Sequence, residues 1–254
     1  MLFRSSRGKS RLSKFLKSSK SMSKIEIFPK VLGKYKLDHP QHLKLKEQCF
    51  KLLEKVDEEK YCFVNRSSDK LKHFFNKSNQ NLLYLREFEW FEEWITEKSI
   101  DYIENTLGYY LKDGVMISDC WLNVCSKGGE QGFHCHSNSY ISGTYYVNYT
   151  KRTHSPLCFT NKDMNPENNI TQHFEIPIEK PSKYNSKYAV MDHDEGDLLL
   201  WQSNLNHGYF ENGENNRISI SFNVMPKYIH NISYGFKIER DVPIDREVWG
   251  FDNV

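Results

Sequence analysis

The residues of this 254-residue chain best suited to chemistry are histidines. Gly132-Phe133-His134-Cys135-His136 sets two imidazoles two positions apart. In or at the end of a strand, alternation turns both toward one face and Cys135 toward the other. Two imidazoles from one strand can occupy adjacent positions around one ion, and imidazole suits iron, zinc, copper or nickel alike. Taken alone, a His-x-His pair fits a solvated strand face better than a metal site. A third histidine, His207 in SNLNHG, follows the buried-strand pattern GDLLLWQS and shifts that balance. Ten residues on, Arg217 opens RISISFN. Its alternation puts Arg217, Ser219 and Ser221 on one face, and Ile218, Ile220 and Phe222 on the other, the expected core of the sheet sandwich. An inward-facing guanidinium is costly to bury without an anion. A small dicarboxylate would supply one, gripped bidentately.

The ordered set His-x-His, a late His some seventy residues on, and Arg-x-Ser ten residues later resembles the Fe(II)/2-oxoglutarate oxygenase superfamily. Within it, WLNV…FHCHSNSYISGTYYVN…GDLLLWQSNLNHG…NRISISFN is similar to a little-characterised family of 2-oxoglutarate-Fe(II) oxygenases. The resemblance runs from about Asp119 to Val224. It implies a double-stranded β-helix (a jelly roll, cupin-like), with His134 and His207 as iron ligands. Arg217 would bind the far carboxylate of 2-oxoglutarate, with Ser219 as a hydroxyl donor, Tyr146 as a second contact and Asn123 lining the same pocket. The implied reaction is oxidative decarboxylation of 2-oxoglutarate coupled to hydroxylation of a small-molecule or peptide substrate, with ascorbate as an accessory reductant.

One position departs from the usual pattern of two histidines and a carboxylate: residue 136 is His. The resemblance makes His136 a ligand. Chemistry alone leaves it open, with Asn138 and Glu130 as substitutes at unsuitable spacing. Two other readings compete. A three-histidine cupin dioxygenase independent of 2-oxoglutarate explains His136 but leaves Arg217-Ile218-Ser219 without a role. A metal-binding jelly-roll protein without oxygenase activity makes the histidines structural.

The elements that must position these residues fall into two textures. Glu26–Lys36 reads as a β-rich entry and Gln41–Lys55 as a loosely amphipathic helix. Residues 57–85 read as loops. Glu87–Leu107 reads as a stronger helix, with Phe91, Trp94, Ile95, Tyr102, Ile103 and Leu107 near one face and Gly108 ending it. From Val115 the segments VMISDCWLNV, YISGTYYVNY, SPLCFT, GDLLLWQS and RISISFNVM read as strands. The expected architecture is mainly β: a single domain over 25–254, helical over about 25–112, with a β-helix core over about 113–228 and an extension at 229–254. The loops of 150–195, with Tyr184 and Tyr188, are expected at the pocket entrance.

Residues 1–24 carry eight Lys or Arg and no acidic residue, leaving 27 basic against 33 acidic groups in the rest. That arm reads as a disordered, solvated tail, with an organelle-targeting segment as the alternative. The mildly acidic body suggests no nucleic-acid groove, and no stretch has the apolar length of a membrane span. Six cysteines without paired spacing point to reduced thiols, hence an intracellular, cytoplasmic setting. His154, His173 and His193 read as solvated loop residues. Asp192-His193-Asp194 resembles a ligand triplet but lacks a second cluster. Trp90, Trp94 and Trp121 read as packing residues, and Cys135 as an oxidation target.

Overall fold

Strand-forming segments whose alternate residues are apolar and polar build the sheets of this chain, and a computed structural model describes residues 25–77, 80–161 and 177–239. The basic arm and His173 lie outside them. In chain order the strands are β1 (Gly33–Lys36), β2 (Cys62–Val64), β3 (Leu71–Phe74), β4 (Val115–Cys125), β5 (Gln131–His134), β6 (Ile141–Asn148), β7 (Cys158–Thr160), β8 (Tyr188–Val190), β9 (Asp197–Gln202), β10 (His207–Tyr209), β11 (Arg217–Pro226), β12 (Tyr228–Asn231) and β13 (Tyr234–Lys237). A major sheet runs β1-β9-β6-β11-β4-β3-β2 and a minor one β5-β10-β7-β8, with every pairing antiparallel. Strands β12 and β13 pair only with each other. This is a double-stranded β-helix, mainly β, with helices on its N-terminal side.

Period-two alternation gives the major sheet two unlike faces. Ile141, Tyr145 and Val147 of β6, Leu198 and Leu200 of β9, and Ile218, Ile220, Phe222 and Val224 of β11 all enter the principal apolar core. The intervening Ser142, Thr144, Tyr146, Trp201, Arg217, Ser219, Ser221 and Asn223 line a cavity on the other face. Strand β4 reaches the same result through a bulge. Asn223 pairs with Asp119 and the next residue, Val224, with Ile117, so Ser118 is the extra residue. Ile117 and Cys120 then both join the core, while Asp119, Trp121 and Asn123 face the cavity.

Helices α1 (His39–Lys55) and α3 (Glu89–Asp101) cover the apolar face, packing on β6 and β4 respectively. Asp38 caps α1 by accepting from the Gln41 amide at 2.9 Å, and Pro40 sits in the first turn, where a missing N–H costs nothing. From α1, the buried His42 reaches the Tyr145 hydroxyl at 2.7 Å and Glu195 at 3.0 Å, tying the helix to the turn before β9. Helix α3 buries Phe91 and Ile95 and runs into a π turn over Tyr102–Thr106, after which Gly108 adopts φ +75°.

Several expectations need correction. The core built by Ile218, Ile220 and Phe222 lies between sheet and helices, because the space between the sheets is taken by polar side chains. The β-rich entry shrinks to Gly33–Lys36. Residues 57–85 hold a short helix, α2 (Glu58–Tyr61), and the β2–β3 hairpin, which extends the major sheet. The N-terminal part is therefore not purely helical: β1, β2 and β3 belong to the β core.

Packing at the sheet–helix boundary is tight at Gly143. A Cβ there would lie 2.7 Å from Leu200 Cδ2 and closer still to the Phe222 ring. Gly143→Ala should destabilise the fold by about 1–3 kcal/mol through overpacking, read as a lower midpoint in urea with an unchanged slope.

Candidate metal centre and anion pocket

His134 is the last residue of β5, His136 follows two residues beyond the strand end, and His207 opens β10 beside them, directly opposite His134. One ring nitrogen from each lies within 4.8 Å of the other two, and ring centroids are 4.5–5.2 Å apart. Among the described residues this is the one group of three His, Cys, Asp or Glu side chains so placed. Cys135 is exposed, turned away as alternation requires.

The backbone sets the tautomers. Nδ1–H of His134 donates to the Gly132 carbonyl at 2.8 Å, and Nδ1–H of His207 to that of Leu205 at 2.9 Å. In the neutral ring Nε2 then carries the lone pair, as a metal ligand must. Burial, reinforced by His134, pushes His207 down to about 3. The same two causes lower His136 to about 4, against opposing effects of Asn223 and Asp119. Both rings are thus neutral near pH 7. His136 Nε2 is buried without a hydrogen-bond partner. Three imidazoles converging with free lone pairs, one otherwise orphaned, fit a divalent metal. Trp201 meets His207 edge-on at 4.8 Å, and Trp121 stacks on His136 at 6.1 Å.

Deeper between the sheets lies Arg217, only 2 % exposed. Its Nε donates to the Ser155 carbonyl at 2.9 Å. Its guanidinium rests on the Tyr209 ring at 3.9 Å and near that of Tyr146 at 5.5 Å. Among the described residues no carboxylate forms an ion pair with it. The hydroxyls of Tyr146 and Tyr209 are buried and lack a well-formed hydrogen bond. The guanidinium lies beside the former and the weakly bonding Cys125 thiol beside the latter. Each such hydroxyl forfeits about 1–3 kcal/mol unless something accepts from it. Arg217, Tyr146, Tyr209 and Ser219 line the same cavity of about 660 Å³ as the three histidines. An uncompensated buried cation beside two idle donors fits a carboxylate.

Asn123 lines that cavity too, but its amide is committed internally. Its oxygen accepts from Trp121 Nε1 at 2.9 Å and from Nδ1–H of His73 at 2.5 Å. Its nitrogen donates to Ser221 Oγ at 2.9 Å and approaches the carbonyl and hydroxyl of Ser219 at 3.3 and 3.4 Å. It holds the wall in place rather than offering free groups.

The structure thus brings together His134, His136, His207, Arg217, Ser219, Tyr146 and Asn123 around one cavity, with Asn138 at its edge and Glu130 outside it. His193 and His154 are buried, not solvated, at 1 % and 4 % exposure. His193 stacks on Tyr146 at 3.8 Å and meets Tyr149 at a tilt at 4.4 Å, so it backs the Tyr146 ring from outside the cavity. Trp121 belongs to the cavity wall as well as to packing. Tyr209 escaped the sequence reading, although it shares the strand face of His207 two residues earlier, a signal open to the same alternation argument. His73, on the unforeseen β3, left no such signal.

The family model described as "Putative 2OG-Fe(II) oxygenase" matches residues 119–223. No curated protein matches the sequence. Among solved structures, HygX from Streptomyces hygroscopicus, with nickel, 2-oxoglutarate and hygromycin B bound, is 11 % identical with a TM-score of 0.51, over 78 % of this chain and 83 % of its own. SnoN, a non-heme α-ketoglutarate-dependent epimerase from nogalamycin biosynthesis, is 9 % identical with a TM-score of 0.56, over 78 % and 79 %. AviO1 from Streptomyces viridochromogenes Tue57 is 12 % identical with a TM-score of 0.51, over 77 % and 89 %. At these identities the likeness is one of fold. The segment that carries the three histidines, Arg217 and both tyrosines therefore matches the 2OG-Fe(II) oxygenase family, on a double-stranded β-helix shared with proteins that use 2-oxoglutarate.

Proposed function

We propose that the protein is an Fe(II)- and 2-oxoglutarate-dependent dioxygenase that hydroxylates a small-molecule or peptide substrate. The observation that carries this reading is the pairing, in one cavity, of three convergent imidazoles with a buried Arg217 that, among the described residues, has no carboxylate partner. The family match and the ligands of HygX support it.

In this reading His134, His136 and His207 hold the metal. The Gly132 and Leu205 carbonyls keep the His134 and His207 rings turned toward it. Arg217 grips the far carboxylate of 2-oxoglutarate, and the hydroxyls of Tyr146 and Tyr209 donate to it, with Ser219 beside them. The Tyr209 face screens the guanidinium from the apolar wall. Leu157 and Trp201, clustered with Tyr146, limit water at this end, which strengthens the charge-assisted bonds. Iron(II) with 2-oxoglutarate and oxygen supplies an oxidant able to take hydrogen from a C–H bond, with succinate and CO₂ as coproducts. The open end of the cavity, with Phe63, Asn65, Asn76 and Asn138, receives the substrate. Trp121 and His73 form its polar and aromatic side wall.

Purified protein given Fe(II), 2-oxoglutarate, ascorbate and oxygen should form succinate even without its substrate, and His207→Ala should abolish this. Metal binding without 2-oxoglutarate binding would instead favour the three-histidine dioxygenase, and neither would leave a non-catalytic jelly roll.

Arg217→Ala should weaken 2-oxoglutarate binding to the metal-loaded protein by about 10- to 100-fold, the loss of one charge-assisted contact of about 1.5–3 kcal/mol. Metal affinity should stay unchanged in the same calorimetric titration. Arg217→Lys should recover the loss only in part, since an ammonium lacks the planar fork. Tyr209→Phe should weaken the same binding by less, about 3- to 10-fold, as expected for a neutral donor.

A further inference from the structure

The cavity holds a second ionisable side chain that the reading above leaves unused. Asp119 lines the cavity beside Trp121, which stacks on His136. Its Oδ2 accepts from Ser118 Oγ at 3.1 Å and from Asn223 Nδ2 at 3.3 Å. Among the described residues no Lys, Arg or His forms an ion pair with it. Asp119 shares the cavity face of Trp121 and Asn123 by unbroken alternation, and the bulge at Ser118 lets Ile117, two residues earlier, still join the core. Bulges beside sites commonly re-aim one side chain.

The charges give this carboxylate a purpose. A divalent metal held by two histidines and a carboxylate carries one net positive charge, whereas three neutral imidazoles leave it with two. With dianionic 2-oxoglutarate and Arg217 in place, the three-histidine cavity holds one uncompensated positive charge in a poorly solvated space. We propose that Asp119 supplies, from outside the ligand set, the negative charge that His136 cannot, acting through Asn223 and the shared cavity to favour metal retention. This rests on the dioxygenase reading for the metal site and for the charge of bound 2-oxoglutarate.

Asp119, Asn223 and His136 line the same cavity. Asn223 is the cross-strand partner of Asp119 and donates to it. Ser142 donates to Asn223 Oδ1 at 3.1 Å and so fixes the amide. Asp119 is thus a positioning and charge-balancing residue, not a ligand, for its oxygens fall outside the three-nitrogen cluster.

The test is a double-mutant cycle read as Co(II) and Fe(II) affinity of the metal-free protein, with the charge-transfer absorption of the Fe(II)·2-oxoglutarate complex as a second readout. Asp119→Asn keeps the shape and the acceptor oxygen but removes the charge. It should weaken metal binding by about 10- to 100-fold, the range seen when an outer partner of a metal site is lost, and shift the absorption band. In a His136→Asp background, where a ligand again carries the charge, the same substitution should cost less than about 3-fold. Asp119→Glu should retain most of the affinity.

An Asp119→Asn protein that binds metal as tightly as the parent, or an equal loss in both backgrounds, overturns the proposal. If Asp119→Asn does not fold by circular dichroism, Asp119→Ser and Asp119→Glu replace it. Equal affinities for those two would overturn the proposal just as surely. Failure of the parent to bind metal at all would overturn the dioxygenase reading instead, which keeps the two outcomes distinct.

Discussion

A strand covered on both sides must satisfy two different neighbours, and the two-residue period of the major sheet does so along its whole central region. The face toward α1 and α3 is continuous hydrocarbon and aromatic ring from β6, β9 and β11. The opposite face is polar nearly throughout, and it lines the cavity. Neither face works without the other. Apolar burial under the helices stabilises a sheet whose second face contributes little transfer free energy, because hydroxyls, amides and a guanidinium gain little by leaving water. A one-residue slip in register would carry Arg217 into the helix core and Ile218 into the cavity.

Within that face the neutral dipoles and the charges have separate jobs. Asn123, His73, Asn65, Ser219 and Ser221 bind one another, so they are satisfied without any ligand. The hydroxyls of Tyr146 and Tyr209 and Nε2 of His136 are not, and among the described residues Arg217 has no carboxylate partner. The division is what a binding site needs: a rigid frame that is complete in itself, and a few groups whose partners arrive later. The idle groups also define what can arrive. A cation against Arg217 or an apolar group against the two tyrosine hydroxyls would leave their cost in place, whereas a carboxylate removes it.

How much of this could be read beforehand follows the same physics. His134, His136, His207, Arg217 and Tyr146 lie on or just beyond strands with clear alternation, and alternation is local, so their convergence was legible. The strands of β4, β6, β9 and β11 were legible for the same reason. The β2–β3 hairpin was not: its strands are three and four residues long, flanked by Asn, Ser, Asp and Lys, and β3 is held by pairing with β4 rather than by its own pattern. Burial of His193 depends on the rings of Tyr146 and Tyr149 arriving from another strand and its following turn, which no local window contains. The bulge at Ser118 was equally hidden, because an uninterrupted VMISDCWLNV gives no sign of where the phase changes.

That bulge bears on why the wall uses amides where charges would be expected. Oriented neutral dipoles can hold a metal-facing ring or a tyrosine in place without adding to the electrostatic total, so the net charge of the cavity rests on very few residues. Here those are Arg217 at one end and Asp119 at the other. Removing the ligand carboxylate from such a site cannot be absorbed by rearranging Asn123 or Ser221, since neither carries charge to move. The proposed answer is another carboxylate, Asp119, which shares the inward face of Trp121 and Asn123 while the bulge at Ser118 keeps Ile117 in the core.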